Sequence, residues 1–226
     1  MNYRIALDGP SGAGKSTVAK AVAKKLGIVY VDTGALYRTL ALYAIRNNVA
    51  CDKEGEVLPI LSGADIQLKY IDGTQCVLLN GEDVSALIRT PEISMGASDI
   101  SAIPKVREYL LDLQRKIAYE NSVIMDGRDI GTVILPDAEV KIFITASPEI
   151  RAKRRYNELI EKGQDVVYED VLKDVIQRDY NDSHRDVAPL KQAEDAVLLD
   201  TSYLDLDESI NETIKIIKDK LNLEVE

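Results

Sequence analysis

Gly9-Pro10-Ser11-Gly12-Ala13-Gly14-Lys15-Ser16 meets every fixed position of the G-x-x-x-x-G-K-[ST] phosphate-binding loop. Its glycines let successive backbone N–H groups turn inward around a polyphosphate. Lys15 adds a fixed positive charge, and Ser16 offers a hydroxyl to Mg²⁺. Gly9, Pro10, Ser11, Gly12, Ala13, Gly14, Lys15, Ser16 and Thr17 therefore form the candidate nucleotide cradle. Further along, Asp126-Gly127-Arg128-Asp129 follows the strand-like Val123-Ile124-Met125. An acid at a strand end near such a loop commonly faces the metal, directly or through water, so Asp126 joins Ser16 as a metal candidate. A solvated turn with a capping aspartate is the plainer reading of the same segment.

Arginines cluster where a transferring phosphoryl group needs them. Arg151, Arg154 and Arg155 fall within two turns of a helical stretch, and Arg178 and Arg185 follow later. The guanidinium fork suits phosphate oxygens, although helix pattern alone would equally place any one of them in solvent. His184, the single histidine, reads as a polar surface residue between Ser183 and Arg185. A phosphate acceptor brings an oxygen that is already anionic, so transfer to it requires positioning and charge neutralisation rather than a general base.

These groups need a scaffold. Tyr3 to Leu7 alternates like a strand and feeds the loop; Val18, Val22 and Leu26 then mark an amphipathic helix with Gly27 at its C-terminal cap. Strand, loop and helix is the context the motif requires, because the helix N-terminus points its dipole at the phosphates. Ile28 to Val31 reads as a buried strand followed by an Asp32-Thr33-Gly34 turn. Val140 to Ile144 and Ala196 to Leu199 are further strands, and helical stripes run through Val106, Tyr109, Leu110, Leu113 and Ile117, through Val171, Val175 and Ile176, and through Ile210, Ile214, Ile217 and Leu221. Strands alternating with helices imply a parallel sheet covered on both faces. One stretch breaks the rhythm. Ile66 to Tyr70, an Asp72-Gly73 turn, Cys76 to Leu79 and an Asn80-Gly81 turn spell a small antiparallel sheet inserted over roughly 59–89. It is either a decorative surface insertion or a mobile subdomain that helps hold a second substrate.

The 226 residues suit one compact domain with insertions, and the formal charge of −10 argues against a general nucleic-acid binder. Any anion site is then a local basic pocket on an acidic body. Two cysteines are too few for a disulfide framework, no apolar run approaches membrane-spanning length, and the start lacks a signal peptide's apolar stretch. A cytoplasmic protein with no membrane partner is expected.

Four motifs, in order, resemble the bacterial cytidylate kinases: Asp8 to Ser16, Asp32-Thr33-Gly34-Ala35-Leu36-Tyr37-Arg38, Asp126-Gly127-Arg128-Asp129-Ile130-Gly131-Thr132, and Arg185-Asp186-Val187-Ala188-Pro189-Leu190. The resemblance runs from about Ile5 to Thr201. It implies a nucleoside monophosphate kinase fold within the α/β P-loop NTPases: a five-stranded parallel core, a monophosphate-binding subdomain over 33–104 carrying the small antiparallel sheet, and a short lid over 151–164. It implies transfer of the γ-phosphoryl of ATP to CMP or dCMP with Mg²⁺, by a chain acting as a monomer. Thr33, Ser98, Arg107 and Asp129 match positions that read cytosine, and Tyr37 lies in the same substrate-binding set. Arg38, Arg128 and Arg185 match phosphate-binding positions, and Arg178 and Asp182 match positions near ribose and phosphate. Lys15, Arg128, Arg154 and Arg155 match the catalytic cations, with Arg154 or Arg155 reaching the phosphoryl group from the lid. Thr33 stands where serine is common, and Ser16 replaces a glycine seen in some members.

The base chemistry agrees. Cytosine shows an N4 donor beside N3 and O2 acceptors, so Asp129 can accept from N4 and Arg107 can donate to N3 or O2. Uracil would set a carbonyl against the carboxylate, acceptor to acceptor. The alternatives are a kinase for another small acceptor, such as UMP, AMP or shikimate, and a nucleotide-dependent switch. The chain holds no Asn-Lys-x-Asp guanine signature.

Overall fold

The computed structural model describes residues 2–71 and 74–222. The chain opens with strand β1 (Arg4–Asp8), helix α1 (Lys15–Leu26), strand β2 (Val29–Asp32) and helix α2 (Thr33–Arg46). An inserted lobe follows: a single helical turn α3 (Glu54–Val57), then β3 (Ile66–Ile71), β4 (Thr74–Leu79) and β5 (Glu82–Asp83), then α4 (Pro91–Ser101). Helix α5 (Pro104–Glu120) leads back to β6 (Val123–Gly127) and β7 (Val140–Thr145). Helices α6 (Pro148–Glu161) and α7 (Tyr168–His184), strand β8 (Val197–Asp200) and helix α8 (Leu206–Leu221) complete the chain.

Five strands form one sheet in the order β2-β6-β1-β7-β8, every pair parallel, while β3, β4 and β5 form a separate antiparallel sheet. Alternation along each central strand feeds two cores. Ile5 and Leu7 of β1 pack with Val18, Val22, Ile124, Ile142 and Ile217, whereas Ala6 turns to the opposite side with Val31, Val123, Met125 and Leu135. Burial on both faces explains why these strands read as nearly continuous apolar runs. From β1 the chain moves outward to β2 on one side, and from β6 it crosses to β7 on the other. The C-terminal ends of β1 and β6 therefore open a crevice at the switch point. A third core, built on Leu36, Leu40, Val77, Leu79, Ile93 and Ile100, welds α2, α4 and the small sheet into a lobe beside that crevice.

Several local expectations are corrected. Asp32-Thr33-Gly34 is a helix start rather than a turn: the Asp32 carboxylate accepts from Ala35 N at 3.0 Å and caps α2, which absorbs Gly34 in its first turn. Strand β6 runs on through Asp126 to Gly127, pairing with β1 as far as Asp8↔Gly127. Immediately beyond it, Ile130–Ile134 forms one π-helical turn that periodicity did not signal. The expected Asp72-Gly73 turn lies outside the described residues. No helix among the described residues is long and apolar enough to cross a membrane.

Candidate active site

The phosphate-binding loop leaves β1 at Gly9, whose φ of +146° and absent Cβ let the backbone pass Ile144; a Cβ there would stand 1.9 Å from the Ile144 carbonyl oxygen. The loop closes on Gly14, φ +87°, at the N-cap of α1. Lys15 is 5% exposed and donates to Pro10 O at 2.8 Å, curling its ammonium back over the loop. Burial and the nearby Arg128 both push the Lys15 pKa down, so an anion in the loop would restore its charge. The loop is braced from beneath by Arg151. Expected with Arg154 and Arg155 in an arginine cluster for the phosphoryl group, Arg151 is 2% exposed and braces the fold: it donates to Ser11 O at 2.9 Å and Ala146 O at 2.8 Å and pairs with Asp179.

Ser16 Oγ donates to Asp126 Oδ2 at 2.6 Å, and Tyr30 of β2 donates its hydroxyl to Asp126 Oδ1 at 3.0 Å. Burial and the neighbouring Asp32 both raise the Asp126 pKa. The two metal candidates thus meet at the loop, and both offer the hard oxygen ligands that Mg²⁺ takes.

Three guanidinium groups converge beside them. Arg38 donates to Asp32 Oδ2 at 2.7 Å and Arg128 to Asp182 Oδ2 at 2.8 Å. Arg178 is pushed down to about 10 by burial and by Arg128, with Arg38 and Arg155 adding to the crowding. Arg38 Nε and Arg178 Nε are buried with no hydrogen-bond partner. Cations this crowded, with buried donors unspent, fit an anionic phosphoryl group.

Asp129 and Arg107 form a fully buried ion pair, Asp129 Oδ2 accepting from Arg107 Nη2. Arg107 also donates to Ser101 O at 3.2 Å, and its guanidinium lies 5.3 Å over the Tyr37 ring. Arg185, expected on phosphate, stands 3.6 Å from Asp129 and donates to the Ala188 carbonyl. Thr33 is buried and turns its hydroxyl onto Asp126 O at 2.8 Å, which leaves only oxygen lone pairs for a ligand. Ser98 is half-buried on α4, its carbonyl accepting from Ser101 Oγ. In α6, Arg154 reaches back to Thr201 O at 2.7 Å beside the loop, while Arg155 pairs with Glu158 at 2.9 Å.

Residues 5–219 match the cytidylate kinase family. The chain belongs to the cytidylate kinase family. Two relatives named cytidylate kinase show the extent of the likeness. That of Caldicellulosiruptor saccharolyticus is 49% identical over 98% of this chain and 98% of its own length, and that of Thermosipho melanesiensis is 50% identical over 99% and 100%. A solved structure of an uncharacterized protein from Eubacterium ventriosum shares the fold, with a TM-score of 0.53 at 15% identity over 97% of this chain and 99% of that one. Cytidylate kinases are nucleoside monophosphate kinases, phosphotransferases that use ATP, so both the fold and the enzyme class expected from the motifs stand.

The cytidylate kinase crevice also contains a residue that sequence reasoning quoted without a role. Asp8, the last residue of β1, accepts from Ile130 N and Gly131 N, each at 2.7 Å. Its signal was a charged residue ending an otherwise apolar central strand. Burial pushes its pKa from the usual 3.8 up to about 6, against the pull of the two backbone bonds. A raised carboxyl favours its protonated form in the fold, so its contribution is fully present below the unfolded value and is lost as pH rises through the folded one. Wild type should therefore lose on the order of 2 kcal/mol of stability relative to Asp8→Asn as pH rises from about 4 to about 6. Urea unfolding of both proteins across that range measures the difference; parallel curves would contradict it.

Proposed function

We infer that this crevice transfers the γ-phosphoryl group of ATP to CMP or dCMP, giving CDP or dCDP. The observation that supports this best is the buried Arg107–Asp129 pair lying one residue beyond Arg128 and its partner Asp182. It sets a donor-reading carboxylate beside a cluster of guanidinium groups in which Arg38 Nε and Arg178 Nε have no partner. Asp129 accepts from cytosine N4 and Arg107 donates to N3 or O2, with Tyr37 beneath the guanidinium and Thr33, Ser98 and Arg185 lining the same half. Arg38, Arg128 and Arg178 hold the acceptor phosphate, whose oxygen attacks in line without a base. Asp182 orients Arg128 and serves the ribose side.

Gly9 to Thr17 cradle the donor phosphates, and Lys15 neutralises charge that grows during transfer. Ser16 and Asp126 are the residues that would hold Mg²⁺, which when bound supplies a second positive charge to the donor phosphates. Movement of 151–164 about its buried root at Arg151 brings Arg154 or Arg155 over the transferring group and excludes water, which would otherwise compete as acceptor. The lobe over 33–104 carries the acceptor half. The acidic body, with its formal charge of −10, fits a small anionic ligand in a local basic pocket and a monomeric cytoplasmic protein without nucleic-acid or membrane partners.

A coupled assay with Mg-ATP and a panel of CMP, dCMP, UMP, AMP and shikimate tests this reading. Turnover should be highest with the cytidine nucleotides. Equal or better turnover of UMP or AMP would sink the cytosine assignment, and rapid acceptor-independent hydrolysis would favour a nucleotide switch.

A further inference from the structure

Asp129 precedes the π-helical turn Ile130–Ile134 and occupies its N-cap position, yet its side chain makes no capping hydrogen bond. This is unusual for aspartate. At an N-cap its carboxylate ordinarily swings back onto the first free amides of the turn, because those donors have no partner within it. Here they already have one. Asp8, from the adjacent strand, places Oδ1 on Ile130 N and Oδ2 on Gly131 N at 2.7 Å each. With the amides satisfied, the Asp129 carboxylate points away from its own turn and toward Arg107 and Arg185.

We propose that Asp8 is a positioning residue for acceptor selectivity. It caps the 130–134 turn in place of Asp129 and thereby frees the Asp129 carboxylate to read the base. The phosphate-binding loop that follows Asp8 has supports of its own. It is held by Arg151 on Ser11 O and by the close passage of Gly9 against Ile144, while both Asp8 oxygens are engaged by the turn. Loss of the Asp8 acceptors leaves buried amides unpaired, and the nearest carboxylate able to satisfy them is that of Asp129. The expected defect is therefore in choosing the acceptor rather than in binding the donor.

The inference rests on the cytosine reading above, and the experiment separates the two. Wild type, Asp8→Asn and Gly131→Ala are compared as full-length proteins for kcat/KM with CMP and with UMP, for ATP Kd, and for melting temperature. The asparagine keeps the volume but loses one acceptor. The Gly131 variant keeps Asp8 and adds a Cβ that would stand 3.3 Å from Asp8 Oδ2 and 3.1 Å from Lys141 Cδ, nudging the carboxylate without touching the crevice. The wild-type preference for CMP over UMP tests the cytosine reading by itself. The change of that preference in the variants tests Asp8. We expect the CMP:UMP ratio to narrow about tenfold or more in Asp8→Asn, less in Gly131→Ala, with ATP Kd within about threefold of wild type. CMP and UMP rates falling together, ATP Kd moving as far as the ratio, or a lower melting temperature with the ratio intact would each overturn it. If Asp8→Asn does not fold, an unchanged ratio in Gly131→Ala overturns it equally.

Discussion

Lys15→Ala lowers kcat/KM for phosphoryl transfer by about 10³-fold, close to 4 kcal/mol of transition-state stabilisation. The size follows from position. Lys15 is 5% exposed and, among the described residues, its ammonium bonds only the Pro10 carbonyl, so it is free to act on an anion. Arg38, Arg128 and Arg178 are already committed in part to Asp32 and Asp182, so none of them is spare to replace it. Burial already disfavours the charged lysine, so deleting it removes a desolvated cation and should leave the fold intact. Thermal unfolding of the variant close to wild type, beside a collapsed rate, is the expected pair of results. Full transfer by Lys15→Ala would contradict the role of the loop itself.

The second large effect falls on the acceptor. Asp129→Asn breaks an ion pair in which both side chains are almost wholly buried, 8% exposed for Arg107 and 5% for Asp129. Breaking such a pair by changing one partner costs about 3–5 kcal/mol, since the other charge stays buried and uncompensated. That cost falls on folding; separately, CMP should lose about 10² to 10³ in kcat/KM, because its N4 loses a buried carboxylate acceptor and Arg107 loses the partner that aims it. The new amide also presents an N–H where only acceptors stood, and uracil's C4 carbonyl can accept from it. UMP therefore loses far less than CMP, and the gap between the two acceptors closes. Steady-state kinetics with both acceptors read this directly. A variant that keeps the full wild-type preference for CMP would remove Asp129 from base recognition.

What sequence reasoning reached and missed divides along physical lines. The loop was legible because its chemistry is local: Gly9 to Ser16 needs only its own glycines, its lysine and the dipole of the helix it opens. Asp126 and Asp129 were legible because strand ends in a parallel sheet point into one crevice. The small antiparallel sheet announced itself through its Asn-Gly turn and alternating strands, and β3 and β4 pair where expected, from Ile66↔Leu79 onward. Contacts set by tertiary packing left no such trace. Asp8 meets Ile130 across 122 residues, and Arg151 meets Ser11 across 140, separations at which no pattern predicts a partner. Arg151 and Arg154 share a helix and a spacing that suggested a common task, but one is buried under the loop while the other bonds Thr201. The Asp32-Thr33-Gly34 segment was misjudged because glycine weighs as a breaker in a short window. The energy of a capped first turn, together with the burial of Leu36 and Leu40, outweighs it.

The bond from Tyr30 to Asp126 has an optical consequence. The chain has no tryptophan, so its near-ultraviolet emission comes from tyrosine alone, without a stronger fluorophore to mask it. A phenol that donates to a carboxylate is quenched by it, and Tyr30 does so at 3.0 Å from the residue that faces the loop. Tyr37 lies under the Arg107 guanidinium in the other half of the crevice. Two of the chain's tyrosines thus stand as unlabelled reporters in the crevice, one on the Asp126 carboxylate beside the loop and one under the Arg107 guanidinium.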